Sequence, residues 1–469
     1  MDRRRFIWQT GLVTAGFLGL SKLAIAGRDK VGTTRYGFYR YGPLQRDPKG
    51  IFDLPEGFGY DIISRRGDAM TDGLIVPGKS DGMAAFPSGD PNRTIVVRNH
   101  ELTPDLYAEE GAFGAENELV STLDPAEFYE FGKGELPGIG GTTTFVYDHS
   151  TGEIVTQYLS LAGTVRNCAG GPTPWGSWIT CEEDVTLAGG YNGRMEKKHG
   201  YVFEVPVSED PMRAEPVPLK DMGRFNHEAV CVDEATGIIY LTEDRHDGLF
   251  YRFIPNTPGD LRQGGRLQAL MLEGEPGADT RNWEESGRTT TIGEPMPAVW
   301  VDLDNVDDDD DTLRIRGHER GAALFARGEG VWMDTDERAV YFACTNGGDI
   351  RKGQIFRYML SDVEGQPGEA SAPGRVELFI EPNDIDLLQN ADNLTIAPWG
   401  DVVFCEDTHS PRIVGVTPEG ELYPIAQNVR FPSELTGVCF SPNGQTLFVN
   451  IQHAGLTLAI NGPWDQARG

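Results

Sequence analysis

Eight side chains scattered between Glu101 and Asp407 each offer a donor atom that a cation would accept. They are Glu101, Cys168, Glu183, Glu228, Glu329, Asp392, Asn393 and Asp407. Seven are oxygen donors, the hard set that suits calcium, which takes about six to eight of them. Cys168 stands apart, because sulfur among carboxylates suits a transition metal such as iron or zinc. Any one of these acids alone reads as a solvated loop end. Gathered together they could not remain bare anions, since like charges raise each other's pKa or demand counter-cations.

A repeated hairpin would do the gathering. The pattern is a polar start, a short apolar strand, a turn rich in Gly, Asp or Pro, and a second apolar strand finishing in an acid or amide. It runs from Asp81 through Arg93–Arg98 to Glu101, and from Cys168 through Trp175 to Glu183. It returns from His227 and Glu228 to Glu243 and Asp244, and from Gly328 and Glu329 to Thr345 and Asn346. The last two copies run from Asp392 and Asn393 to Glu406 and Asp407, and from Thr436 to Asn450. In an antiparallel hairpin the start of one strand and the finish of its partner lie at the same end. Six copies predict an all-β, six-bladed β-propeller in which these ends converge on one mouth of the axis. A β-sandwich of ordinary hairpins is the other reading of the same pattern.

Between the hairpins lie outer strands and two insertions, near 104–137 and 255–320. Helical periodicity is confined to short stretches near 104–110 and 125–130, while Gly 59 and Pro 30 punctuate the chain. Trp175, Trp178 and Trp332 read as wedges between blades. Cys181, Cys231, Cys344, Cys405 and Cys439 sit in apolar strand-like runs and read as small buried residues. His100 and His227 flank candidate ligands, either as supports or as packed side chains donating to a carbonyl. The acid run Asp307–Asp311 reads as a solvated loop, with an extra calcium site as the sharper alternative.

The first residues look like an address label. Arg3-Arg4-Arg5 precedes a short apolar run from Gly11 to Leu20, and Ala24-Ile25-Ala26 offers a cleavage site. The run falls short of the roughly 20 residues that a spanning helix needs. We therefore expect a twin-arginine signal over 1–26, a mature domain over 27–469, no stable membrane insertion, and a periplasmic or extracellular location. Export through the twin-arginine translocation machinery favours a cofactor inserted before transport. Across 469 residues, 41 Lys and Arg against 72 Asp and Glu give a formal charge of −31. Such a surface repels a nucleic-acid scaffold. An anionic substrate would need a locally positive site, which again points to metals.

The stretch Val165–Gly176 with Thr180–Glu183, the motif Gly223–Ala229 and the motif Arg327–Trp332 resemble the PhoX-type alkaline phosphatases. Asn99-His100-Glu101 and Asp392-Asn393-Leu394 add to the likeness, which spans about residues 50 to 455. The resemblance implies a six-bladed propeller holding a mixed cluster of Fe3+ and Ca2+. It matches Cys168, Glu183, Glu228 and Glu329 to iron or shared-metal ligands, and Arg327 to the arginine that holds phosphate. Arg166 is a second candidate phosphate contact. Glu101, Asp392, Asn393 and Asp407 are expected to bind calcium from their place in the repeat. The implied activity is metal-dependent hydrolysis of a small-molecule phosphoester, by a monomer, with a metal-activated oxygen attacking phosphorus. An arginine fork fits phosphate oxygens, and no Gly-x-Ser-x-Gly elbow for a covalent serine route is present. Two rivals use the same axial acids. One is a calcium-dependent propeller hydrolase of lactones or other esters; the other is a non-catalytic, metal-stabilised periplasmic propeller. Neither requires Cys168 or Arg327.

Overall fold

The computed structural model describes residues 37–467, so the expected signal over 1–26 lies outside the described residues. The fold is all-β and propeller-like. Six inner strands, Ser80–Pro87, Asn167–Pro172, His227–Val232, Gly328–Asp334, Ala391–Ile396 and Leu435–Phe440, pack side by side in a closed ring, the last against the first. Each pairs antiparallel with the next strand in sequence, so the hairpins occur where the repeat placed them.

The sheets themselves number five, not the expected six. Met296–Asp302, from the second insertion, pairs with Gly265–Leu272 on one side and with Gly374–Ile380 on the other. That single strand fuses the third and fourth units into nine strands, which curl into a near-closed barrel. Sequence periodicity could not reveal it, because a strand joining two edges looks like any other strand. The remaining sheets are separate. One of them adds Gly59–Arg65 to Leu456–Asn461, so strands from opposite ends of the described chain latch the ring.

Apolar rings stack both between the third and fourth units and between paired strands within a unit. Phe250 stacks on Phe342 with ring centroids 4.1 Å apart, and Phe342 stacks on Phe356 at 5.4 Å. Each such fully buried ring contributes about 1.5–3 kcal/mol of transfer free energy. The first insertion folds as short 3-10 turns, including Ala108–Glu110 and Pro125–Glu127, around Phe113, Val120 and Phe128. The second supplies two strands and the helix Leu313–Glu319. Asp307–Asp311 lies at the surface, as read, with Asp309 and Asp310 exposed, yet most of its acids are paired. Lys198 pairs with Asp307 and Asp309, Arg316 with Asp308, and Arg314 with Asp311, while Arg224 donates to the Asp308 carbonyl. Lys198 and Arg224 tie the insertion to its neighbours, and Arg314 and Arg316 brace it from within. Among the described residues no helix is long and apolar enough to cross a membrane.

Candidate metal centre

All six inner hairpins are tied alike at one end. The residue before the inner strand accepts, at its carbonyl, the amide of the residue just after the second strand. The bonds run from Glu101 to Lys79 (2.9 Å), Glu183 to Arg166 (3.0 Å) and Asp244 to Asn226 (3.2 Å). They continue from Thr345 to Arg327 (3.0 Å), Asp407 to Asn390 (2.9 Å) and Gln452 to Glu434 (3.3 Å). Inside each tie the register slips. Ser80 faces His100, yet the next pair is Met83 with Arg98; the next four inner strands break at the equivalent place, and the sixth breaks one pair later, after Thr436 with Asn450. A bulge frees residues from the ladder and re-aims their side chains. The second residues of the first five inner strands, Asp81, Cys168, Glu228, Glu329 and Asp392, thereby line one axial cavity.

The residues after the second strands complete its wall. The cavity measures about 250 Å³ and is lined by Lys79, Asp81, Glu101, Arg166, Cys168, Glu183, Glu228, Asp244, Arg327, Glu329, Asp392, Asp407, Glu434 and Gln452. Nine carboxyl groups therefore face three basic side chains. Beneath them a layer including Gly82, Ala169, Ala229, Gly330 and Gly437 draws the inner strands together, leaving a gap of only about 20 Å³. Glycine is required for that closeness. A Cβ on Gly170 would lie 2.0 Å from the Ile179 carbonyl oxygen, and one on Gly171 1.8 Å from that of Val230 on the neighbouring strand. The Cys-Ala-Gly-Gly motif is the chemical signature of this contact.

Two groups of donors are tight enough to share an ion. Cys168, Glu183 and Glu228 present ligand atoms within 4.8 Å of one another, and so do Glu228, Glu329 and Asp392. Glu228 belongs to both. Burial pushes its carboxyl well above the usual range, and Asp392 and Asp244 push it further. Glu183, Glu329, Asp81 and Glu434 are raised in the same way, by burial and then by the charges of neighbouring acids. Asp392 is pushed up to about 8, by burial and then by Asp407. The Cys168 thiol is raised by burial, Glu228 and Glu183. Crowded and buried together, these acids resist ionisation, and divalent or trivalent ions would relieve that strain. The donor set therefore fits metal ions, and one thiol among carboxylates fits more than one kind.

The arginines hold two acids each. Arg327 forks onto Asp244, Nε to Oδ1 at 2.7 Å and Nη2 to Oδ2 at 2.6 Å, and reaches Glu329 at 3.1 Å. Arg166 donates to Glu101 at 2.9 Å and pairs with Glu183 at 3.0 Å. Burial works against both charges, but the adjoining carboxylates outweigh it and raise both guanidinium pKa values.

Of the residues singled out in the sequence, Cys168, Glu183, Glu228, Glu329, Glu101, Asp392, Asp407, Arg166 and Arg327 all line the cavity. Asn393 does not. It follows the ligand position, so its side chain turns along the ring, accepting the Gly437 amide at 2.5 Å and donating to Asp392 at 2.9 Å. Lys79, Asp81, Asp244, Glu434 and Gln452 join the site without having been singled out as candidates. The repeat carried the signal for Asp81 and Asp244, which stand where Cys168 and Glu183 stand in the second copy. His100 and His227 meet backbone oxygens of Gly78 (2.8 Å) and Gly223 (2.9 Å), and burial lowers both pKa values. All six cysteines are buried and free.

Asn99 braces Cys168 from the neighbouring hairpin. Its Nδ2 donates to the carbonyls of Cys168 (3.2 Å) and Ala169 (2.6 Å), and its Oδ1 accepts from Trp178 (2.9 Å) and Thr180 (3.0 Å). Asn99→Ala would strand these buried groups. It is expected to cost about 2–3 kcal/mol, read by denaturant unfolding, and to reduce the metal bound per chain in elemental analysis. Unchanged stability and metal content would remove Asn99 from this role.

Comparison with known proteins follows the same lines. The family model described as alkaline phosphatase PhoX matches residues 39–128 and 146–455. A search of curated proteins finds no match. Among solved structures, Pseudomonas fluorescens PhoX in complex with vanadate, a transition state analogue, is similar at 18% identity and TM-score 0.65, over 92% of this chain and 98% of that one. A gluconolactonase from Xanthomonas campestris aligns at 11% identity and TM-score 0.35, over 87% of this chain and 98% of that one. That likeness is too weak to carry an argument.

Proposed function

Since this chain belongs to the alkaline phosphatase PhoX family and is a metal-dependent phosphatase, we propose that phosphoester hydrolysis takes place in its axial cavity. The observation that carries this reading is the sharing of Glu228 by two tight donor groups under three basic side chains. In this reading Cys168, Glu183 and Glu228 hold Fe3+, because a thiolate selects a transition metal. Glu329, Asp392, Glu101 and Asp407, joined by Asp81, Asp244 and Glu434, hold Ca2+ through oxygen. Bound there, the cations would withdraw charge from the phosphoryl oxygens and supply the Lewis acidity that activates an attacking oxygen.

The chain's own residues bind and orient. Asp244 holds the Arg327 guanidinium through Nε and Nη2, which leaves Nη1 to donate to a non-bridging phosphoryl oxygen. Arg166 stands by as a second contact. The closed layer beneath the acids keeps water from entering along the axis. We count the six inner hairpins as six blades, two of them joined by Met296–Asp302. The substrate is a small phosphoester, and the insertions at 104–137 and 255–320 shape the approach to it. The protein acts as a monomer in the periplasm or outside the cell, after export by the twin-arginine machinery.

Purified protein, prepared through its native export route, is expected to contain iron and calcium and to release the chromophore from a phosphomonoester. Prolonged chelation should lower that rate by about two orders of magnitude or more, with recovery when the missing ions return. Full activity in chelated protein verified to be metal-free would overturn the assignment.

A further inference from the structure

We propose that Lys79 is a third substrate-contacting cation, binding the anionic ester from the side of the ring opposite Arg327. This rests on the reading of the cavity as the phosphatase site. Lys79, Arg166 and Arg327 occupy the same position in three hairpins: each precedes its inner strand, and each carbonyl accepts the amide that closes the hairpin. All three adopt the left-handed backbone, with φ of 46°, 50° and 52°, as does Asn390 (54°) at the same place in the fifth hairpin. That conformation costs a non-glycine residue about 1–2 kcal/mol. Glycine would avoid the cost, so the side chain is what the position retains.

The level of these side chains in the mouth supports the same conclusion. Those of Lys79, Arg166 and Arg327 are 27%, 36% and 29% exposed, whereas Glu183 and Glu329 below them are 6% and 7% exposed. The three cations therefore stand nearer the mouth than Glu183 and Glu329, with Asp407 the exposed acid among them. Arg166 and Arg327 are each closely held by two carboxylates, but the Lys79 ammonium has only a 3.9 Å approach to Glu101. It is the cation most available to a new partner. Three places round the ring separate it from Arg327, so the two flank whatever sits on the axis.

The test is steady-state hydrolysis of a chromogenic phosphomonoester by metal-loaded wild type, Lys79→Met, Lys79→Gly and Lys79→Arg, with inhibition by inorganic phosphate. Losing one charge-assisted contact should raise KM and the phosphate inhibition constant about tenfold in Lys79→Met. The expected kcat stays within about threefold, and metal content stays unchanged. Lys79→Gly relieves the backbone and should fold at least as well, with the same rise in KM. Lys79→Arg should remain close to wild type. Wild-type KM and phosphate inhibition in Lys79→Met and Lys79→Gly would overturn the proposal, as would a KM rise accompanied by lost metal. If Arg327→Ala also leaves hydrolysis untouched, the siting of the reaction fails; if only the Lys79 variants do, this inference alone fails.

Discussion

Glu228→Gln is expected to abolish phosphatase activity, by about a thousandfold or more, and to lower iron and calcium content together. The substitution keeps the volume and removes one anionic ligand from both donor groups at once. Glu183→Gln should disturb only the thiol-containing group, and Asp392→Asn only the all-carboxylate one. Loss of activity would not come from unfolding. Burial and neighbouring acids raise the Glu228 carboxyl in the folded state. The unfolded carboxyl ionises at about pH 4.3, so from there upward the folded state of metal-free protein binds more protons than the unfolded one. Its stability therefore falls as pH rises, through the window that ends at about 8 for Asp392. The neutral amide introduced by Glu228→Gln removes part of that penalty. Metal-free Glu228→Gln should melt above metal-free wild type at about pH 7 to 8, although it binds fewer ions. Elemental analysis, phosphate release and thermal unfolding of chelated protein check this together. Retained activity with full metal content would dissolve the idea of a shared ligand.

Arg327→Ala should lower kcat/KM by about two to three orders of magnitude while leaving metal content near wild type. Removing one well-placed donor from a site of developing negative charge typically costs about 2.7–4 kcal/mol. Arg327 offers Nη1 to the phosphoryl group, and its geometry is fixed before substrate arrives by the paired Nε and Nη2 contacts to Asp244. A lysine is a point charge that cannot fork, so Arg327→Lys should recover little. Both replacements share the left-handed backbone of the original residue, and neither adds strain. Steady-state kinetics with a phosphomonoester supplies the measurement. A wild-type kcat/KM in Arg327→Ala would assign Arg327 to a structural ion pair with Asp244.

The hairpins are legible in the sequence because strand patterning and turn residues are local. The convergence of Cys168, Glu183, Glu228 and Glu329 follows from antiparallel geometry together with motif likeness. What escapes is non-local or turns on one residue. Asn393 stands beside Asp392 and reads as a second ligand, yet a bulge aims one residue at the axis and sends the next along the ring to Gly437. Glu434 lies before its strand and takes its place through a backbone tie to Gln452, which no periodicity displays. The fusion of two units by Met296–Asp302 depends on which edges meet in space. Lys79 has no motif of its own; its φ and tie match those of Arg166 and Arg327 but also those of Asn390, so only the side chain at that place sets the three cations apart.

The pairing of Gly59–Arg65 with Leu456–Asn461 has a temporal meaning. A growing polypeptide carries Asp81, Cys168 and Glu228 long before Glu434 exists, and the ring closes only when Leu435–Phe440 packs on Ser80–Pro87 and the Asn450 and Gln452 side chains reach Asp81. The full set of donors therefore comes together only in the finished chain, and cleavage just ahead of Leu456, which frees the strand paired with Gly59–Arg65, is expected to loosen it.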